Sequence, residues 1–344
     1  MGRKIMEGKE KHMNFKEMEN VIEEIRKRDH FLITSHMHPE GDSIGSQLAL
    51  FNVLKKMGKN AVIVDQDKVP DNLKFLAGAQ NVRFELPAGF NPATIIVLDC
   101  PVKERMGKVS NTFDEKLFII NIDHHVSNEF FGDINWVEPR MSSAGEMMYY
   151  IIKKLGYEID ANSAQAIYSA IVTDTGMYNY DNTTRATHEI VGELIDAGAN
   201  PSYIFKKIFE NRNVHQVRLL GKVLSDIKLE EDGKLAYICL TRAMLEESGV
   251  KDITTDEFIG YPRSIKGVEV AVFFNEKGTD CETVNVSFRS NGDIDVNRIA
   301  CAFGGGGHKK ASGCLMKGST PEIKEKILGA VKKAIRETNH GNKE

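Results

Sequence analysis

Apolar residues along this chain follow two rhythms. In residues 15–29, FKEMENVIEEIRKRD, Phe15, Met18, Ile22 and Ile25 recur at three- and four-residue spacing and predict an amphipathic helix. Runs apolar at every position follow: FLIT, AVIV, TIIVL at 94–98 and LFII at 117–120, with a helical pattern starting near Ser43 between the first two. Strands without a polar face belong to a parallel sheet covered on both sides. The stretches AGEMMYYIIKKLG, NSAQAIYSAIV, ATHEIVGELIDAGA and SYIFKKIFE then return to helical spacing. A longer helix is predicted from Val214 to Leu229, ending at EEDGK. Beyond it, KLAYICLT, VEVAVFFNE and TVNVSFRS alternate with the two-residue period of strands, and AMLEESG and TPEIKEKILGAVKKAIRE read as helices.

These patterns predict an α/β protein. A doubly wound, mainly parallel sheet domain over residues 15–212 is joined by a helical connector, 213–229, to a smaller α+β domain over 230–340. At 344 residues there is enough chain for a core in each, and 41% apolar with 27% charged residues is a globular composition. With 45 Lys and Arg against 49 Asp and Glu, the chain has no bulk basic surface for long nucleic acid. A small anionic substrate needs only a local positive pocket. Five scattered cysteines, Cys100, Cys239, Cys281, Cys301 and Cys314, include no CxxC pair and point to reduced thiols. The start MGRKIMEGKEKHMNF lacks the apolar centre of a signal peptide, and Met6 stands where a myristoylation motif needs Ser or Thr. A soluble, cytoplasmic chain without a membrane span is expected.

Four places in the first domain carry acids or imidazoles where a predicted element stops. They are His36, His38, Glu40 and Asp42 in HMHPEGDSIGS; Asp99 in VLDCP; Asp123, His124 and His125 in NIDHHVSN; and Asp174 in IVTDTG. Singly, each has a plain structural reading: Asp99 as a cap, Glu40 and Asp42 as turn and N-cap residues, His124 as a hydrogen-bonded histidine, Asp174 as a helix end. Three of the four places are strand ends, however, and ligands of open parallel sheets gather beyond the carboxyl ends of strands. Carboxylates brought together there repel one another unless cations intervene. Oxygen ligands mixed with imidazole suit Mn²⁺ or a similar first-row ion, so the cluster reads as a two-metal site.

On these residues the chain resembles the DHH phosphoesterase family, whose naming triplet is Asp123-His124-His125. HMHPEGDSIGS matches the family's first motif, an HxxPDGDxxGS pattern, with Glu40 in place of the usual first aspartate. Asp99 and the DTG at Asp174 match the second and fourth motifs, and NVSFRSNGDIDVNRIACAFGGGGHKKASG matches the associated C-terminal domain. The resemblance spans almost the whole chain, in order. Within the family, length and the GGGGH element look like the oligoribonuclease/pAp phosphatase (nanoRNase) branch and its relatives acting on cyclic di-AMP or pApA.

The resemblance implies one metal on His36, Glu40 and Asp99 and a second on Asp42, Asp99, His124 and Asp174. Two Mn²⁺ are the expected cofactors, with Mg²⁺ or Co²⁺ as substitutes. Asp123 would orient the imidazoles, and His125 would face the substrate and protonate the leaving oxygen. The longer arm of Glu40 moves its carboxylate outward and puts the first metal's coordination in question. In the second domain, Gly304, Gly305, Gly306 and Gly307 would let backbone N–H groups approach an anion, with Arg289 and His308 adding charge. A loose glycine linker is the alternative. The implied substrates are short RNA oligonucleotides, pAp or dinucleotides, with no membrane partner and no stable complex with long nucleic acid; homodimers occur among relatives. A phosphodiesterase for cyclic di-AMP or pApA is the first alternative, a catalytically inactive nucleotide sensor the second. A pyrophosphatase shares the DHH half, and the GGGGH element argues against it.

Overall fold

The computed structural model describes residues 15–112, 117–250, 258–277 and 283–341. The N-terminal start and Cys281 therefore lie outside the described residues. The chain divides into two compact units, one ending at Asn211 and the other beginning at Arg212.

In the first unit, strands β1 (Phe31–Thr34), β2 (Ala61–Val64), β3 (Val82–Arg83), β4 (Thr94–Leu98), β5 (Phe118–Asp123) and β6 (Ile134–Val137) form one sheet. Its order is β3-β2-β1-β4-β5-β6, and every neighbouring pair is parallel. Successive residues of the central strands enter different cores. Phe31, Ile33, Ile96 and Leu98 pack against helices, whereas Leu32, Ile95 and Val97 pack with Cys100, Met106 and Val109. The sheet is thus covered on both faces, but unequally: helices take one side, and 3₁₀ turns over Lys103–Thr112 supply much of the other. The sequence pattern did not reveal β6, because INWV is too short and half-polar to stand out.

The helices of this unit are α1 (Phe15–Lys27), α2 (Gly41–Lys56), α3 (Ala144–Leu155), α4 (Ala161–Asp174), α5 (Arg185–Asp196) and α6 (Pro201–Phe209). Three glycines let α2, α3 and α4 approach one another. A Cβ on Gly41 would sit 2.3 Å from Thr173 Oγ1, one on Gly45 2.3 Å from the Ala166 carbonyl, and one on Gly145 2.4 Å from Ala170 Cβ. The glycines that read as motif letters are therefore packing residues, and they bring the start of α2 against the end of α4.

The second unit contains α7 (Val214–Ser225), β7 (Lys228–Glu230), β8 (Leu235–Leu240), α8 (Arg242–Ser248), β9 (Val270–Lys277), β10 (Thr283–Ser290), α9 (Val296–Ala302), β11 (Gly306–His308), β12 (Ala311–Lys317) and α10 (Thr320–Gly341). Its mixed sheet runs β11-β12-β10-β9-β8-β7, with only β8 and β9 parallel. The helix expected to reach Leu229 stops at Ser225. Residues 228–230 pair with β8 instead, so strand pairing overrides the apolar spacing that continued through Ile227 and Leu229. The buried face of α7, Leu219, Leu220 and Val223, packs with Ala236, Ile238 and Phe273 of this unit. Helices α9 and α10 cover the opposite face. Among the described residues no helix is long and apolar enough to cross a membrane. Cys100, Cys239, Cys301 and Cys314 are free thiols.

Two glycine substitutions should move stability in opposite directions. Gly45→Ala drives a methyl into backbone and should destabilise by about 1–3 kcal/mol. Gly192, exposed within α5 and with nothing within 4 Å of a built Cβ, should tolerate Gly192→Ala with a gain of about 0.5–1 kcal/mol. Denaturant unfolding of both variants gives the signs.

Candidate active site

Strand order reverses between β1 and β4, which makes their carboxyl ends the switch point where doubly wound sheets bind ligands. His36 follows β1, Asp99 follows β4, and Asp123, His124 and His125 close β5. Glu40 caps α2, Asp42 lies in its first turn, and Asp174 is the last residue of α4. All eight converge. His36 Nε2 lies 3.3 Å from Asp99 Oδ2 and 4.0 Å from Glu40 Oε1. His124 Nε2 lies 3.5 Å from Asp42 Oδ2, 3.6 Å from Asp99 Oδ1 and 3.5 Å from Asp174 Oδ2. His125 Nδ1 is 2.7 Å from Asp123 Oδ1 and 3.6 Å from Asp99 Oδ1. Among the described residues of this unit, three sets have the proximity to hold a cation: His36–Glu40–Asp99, Asp42–Asp99–His124 and Asp99–Asp123–His125. His38 takes no part. Its side chain is exposed, and its backbone N–H donates to Asp67.

The other ring nitrogen of each inner histidine faces a backbone carbonyl: His36 Nδ1 that of Met37 at 2.7 Å, His124 Nδ1 that of Met141 at 3.3 Å. A carbonyl only accepts, so each Nδ1 carries a proton, and each Nε2 is turned toward carboxylate oxygens. Asp99 Oδ2 is buried and makes no hydrogen bond. Buried carboxylate oxygens and imidazole Nε2 atoms facing one another need positive charge between them, as protons or as metal ions, and this donor set fits a metal pair.

The protein has partly compensated the charge already. Ala144 and Gly145, at the N-terminus of α3, donate their N–H groups to Asp42 at 2.7 and 2.8 Å, and Ser46 Oγ donates at 3.1 Å. Burial and the Asp99 charge nevertheless push the Asp42 carboxyl well up. Burial also pushes at Asp99, but the imidazoles of His124 and His36 outweigh it and hold this carboxyl well below the usual range. Burial alone would lower His124, whereas Asp174, Asp99 and Asp42 together raise it well above an ordinary imidazole. Burial raises and the His125 charge lowers Asp123, with a net fall. Asp99 has φ 53°, a left-handed conformation uncommon outside glycine.

Sequence reasoning passed over several residues that hold this cluster in shape. Asn182 Nδ2 donates to the Ser142 carbonyl at 2.8 Å and the Asp174 carbonyl at 3.1 Å, tying the approach to α3 to the end of α4. Asn128 Nδ2 donates to Asp123 Oδ2 at 2.6 Å and to Asn121 Oδ1 at 2.8 Å. Asn121 had a signal, since it is the one uncharged polar residue inside the apolar strand FIINID; Asn128 and Asn182 had none. Asp65, at the end of β2, accepts from Gln47 Nε2 at 2.7 Å, the Ser35 N–H at 3.2 Å and Thr34 Oγ1 at 3.3 Å. It thereby ties the residues before His36 to α2.

In the second unit, Arg289, Ala311 and His308 are register partners across β10, β12 and β11, so all three point to one face of the sheet. Arg289 Nη1 donates to the Phe288 carbonyl at 3.0 Å, and its buried Nε makes no hydrogen bond. The tetraglycine lies in the fold and not in a linker. Gly304 takes φ 75° after α9, and a Cβ on Gly305 or Gly307 would strike β12 at 2.1 or 2.6 Å. Gly306–His308 is one of the sheet's two edge strands.

Two family models match the chain: the DHH family N-terminal domain over residues 30–171 and the DHHA1 domain over 232–337. The bifunctional oligoribonuclease and PAP phosphatase NrnA of Thermus thermophilus is 33% identical over 88% of this chain and 89% of its own length. The protein of the same name from Bacillus subtilis is 31% identical over 85% and 91%. An exopolyphosphatase-related protein from Bacteroides fragilis has a crystal structure that superposes with a TM-score of 0.84 at 28% identity, covering 96% of this chain and 99% of that one.

Burial pushes the Asp65 carboxyl up to about 6, above an unfolded value of about 3.9. A raised acid contributes stability that is fully present below the unfolded value and lost as pH rises through the folded one. Asp65→Asn keeps an oxygen for the three donors and removes the titration. Wild type should therefore lose about 2 kcal/mol relative to Asp65→Asn between pH 4 and pH 7, measured by urea unfolding at each pH.

Proposed function

Because the chain belongs to the DHH family, we propose that it hydrolyses short oligoribonucleotides to 5′-mononucleotides and pAp to AMP and phosphate. The observation that carries this reading is the pair of buried imidazole Nε2 atoms turned toward shared carboxylates. His36, Glu40 and Asp99 would hold one divalent ion, and Asp42, Asp99, His124 and Asp174 the other, with Mn²⁺ favoured by the mixture of oxygen and imidazole and Mg²⁺ or Co²⁺ as substitutes. Glu40, Asp42, Asp99 and Asp174 carry as much negative charge as two divalent ions carry positive. When bound, such ions polarise phosphoryl oxygens and make water acidic enough to be a nucleophile at neutral pH.

The chain's own groups supply the rest. Both proposed reactions break the bond between phosphorus and a 3′-oxygen, so one geometry serves both. His125, its Nδ1–H held by Asp123 at 2.7 Å, presents Nε2 to the substrate and, with a second proton on Nε2, passes that proton to the departing 3′-oxygen and is left as the neutral Nδ1–H imidazole. Arg289 and His308, on one face of their sheet, suit phosphate, the guanidinium as a fork with an unspent N–H. The relatives named for oligoribonuclease and PAP phosphatase activity align with most of the chain, which favours this substrate class over the cyclic dinucleotide alternative.

With Mn²⁺ supplied, pAp, pApA, cyclic di-AMP, RNAs of two to five nucleotides, long RNA and pyrophosphate should rank with pAp and the short RNAs first. Chromatography should show AMP with phosphate, and 5′-mononucleotides. Chelation should stop turnover without unfolding the chain. Full rate in excess chelator, or pyrophosphate as the preferred substrate, would overturn the proposal.

Asp99→Asn should lose metal and activity together, since one carboxylate serves both ions. His125→Gln should keep its metal while its rate falls by about two to four orders of magnitude. Metal analysis beside kinetics separates the two roles, and equal metal loss in His125→Gln would make His125 a ligand.

A further inference from the structure

Behind the Asp123–His125 pair lies a chain of buried side-chain amides. Asn128 Nδ2 donates to Asp123 Oδ2 at 2.6 Å and to Asn121 Oδ1 at 2.8 Å, while its Oδ1 accepts the Phe130 N–H at 2.7 Å. Asn121 Nδ2 in turn donates to the Cys100 carbonyl at 3.1 Å. Both asparagines and Asp123 are buried.

The two ends of this chain are backbone groups that cannot exchange roles. The Phe130 N–H only donates and the Cys100 carbonyl only accepts, so neither amide can flip. Asn128 must then present N–H to Asp123. One oxygen of that carboxylate is thereby held as an acceptor, and its other oxygen, 2.7 Å from His125 Nδ1, is left as the acceptor for the imidazole. Every hydrogen bond from Cys100 to His125 has a fixed direction.

We propose that Asn128, locked by Asn121, is a positioning residue. It holds Asp123 so that the His125 Nδ1–H stays bonded to it and Nε2, the nitrogen that passes its proton to the leaving oxygen, is turned outward. This inference rests on the proposed role of His125. It adds that the tautomer and aim of that ring are set two hydrogen bonds away from the ring, by a loop residue that Asn121 of β5 anchors. An isolated carboxylate could swing or share its proton with the ring either way round; this one is clamped from behind. If Asn128 merely filled space in the loop, its removal would weaken the fold without touching the ring's tautomer.

The test compares Asn128→Asp, nearly isosteric but with an acceptor facing Asp123, and Asn128→Ala, which leaves room for water should the first variant not fold. Nitrogen-15 NMR of the imidazole should show His125 protonated on Nδ1 in the wild type and a mixture of tautomers in the variants. With pAp, kcat should fall about 10–100-fold, the usual loss when a partner behind a working histidine is removed, and KM should change less than twofold. In a His125→Gln background the same substitutions should add no further loss. An unchanged tautomer, or equal losses with and without His125, would overturn the proposal and leave Asn128 a loop residue. The NMR arm needs no turnover, so a wild type inactive on every substrate would count against the proposed function and leave this inference decided by the tautomer alone.

Discussion

Like charge has to be buried in one place for this chain to do chemistry, and the first unit is organised around making that tolerable. Asp42, Asp99 and His124 are almost entirely buried. Each has been given a fixed dipole or an oriented partner before any ion arrives: the N-terminus of α3 for Asp42, the Met141 carbonyl for His124, two imidazoles for Asp99. The glycines between α2, α3 and α4 serve this end. Without their close approach, the amides of α3 could not reach a carboxylate on α2. Helix poles add a graded effect, since the positive end of α3 meets an anion while the negative end of α4 carries Asp174 toward the place where cations would gather.

How much of this was legible depends on whether a feature leaves a local trace. Strands β1, β2, β4 and β5 are apolar at nearly every position because both faces are covered, and such runs announce themselves. Polar residues at the ends of those runs are then conspicuous, and of the nine acids and imidazoles that stand out in the sequence the fold gathers all but His38 into one cluster. The site is legible because a parallel sheet places its chemistry where its apolar runs stop.

What escaped was set by contacts distant in sequence. Strands β6, β11 and β12 are short, half-exposed or built from glycine and small residues, and only their partners make them strands. The end of α7 was misplaced because its apolar spacing runs on into residues that β8 captures. Glycines read as anion-approach residues proved, at Gly305 and Gly307, to be demanded by neighbouring backbone as well. Asn128 and Asn182 look like ordinary loop residues until their partners, across other elements, are known.

The left-handed backbone at Asp99 has a consequence for substitution. A glycine would occupy that φ with less strain, by about 1 kcal/mol or more for an L-residue held there. It would also take away the carboxylate that His36 and His124 both face, and a carboxyl held well below its usual range marks that pairing as one that favours the fold. Glycine at the centre of the sheet would thus relieve the backbone and strip two buried imidazoles of their counter-charge.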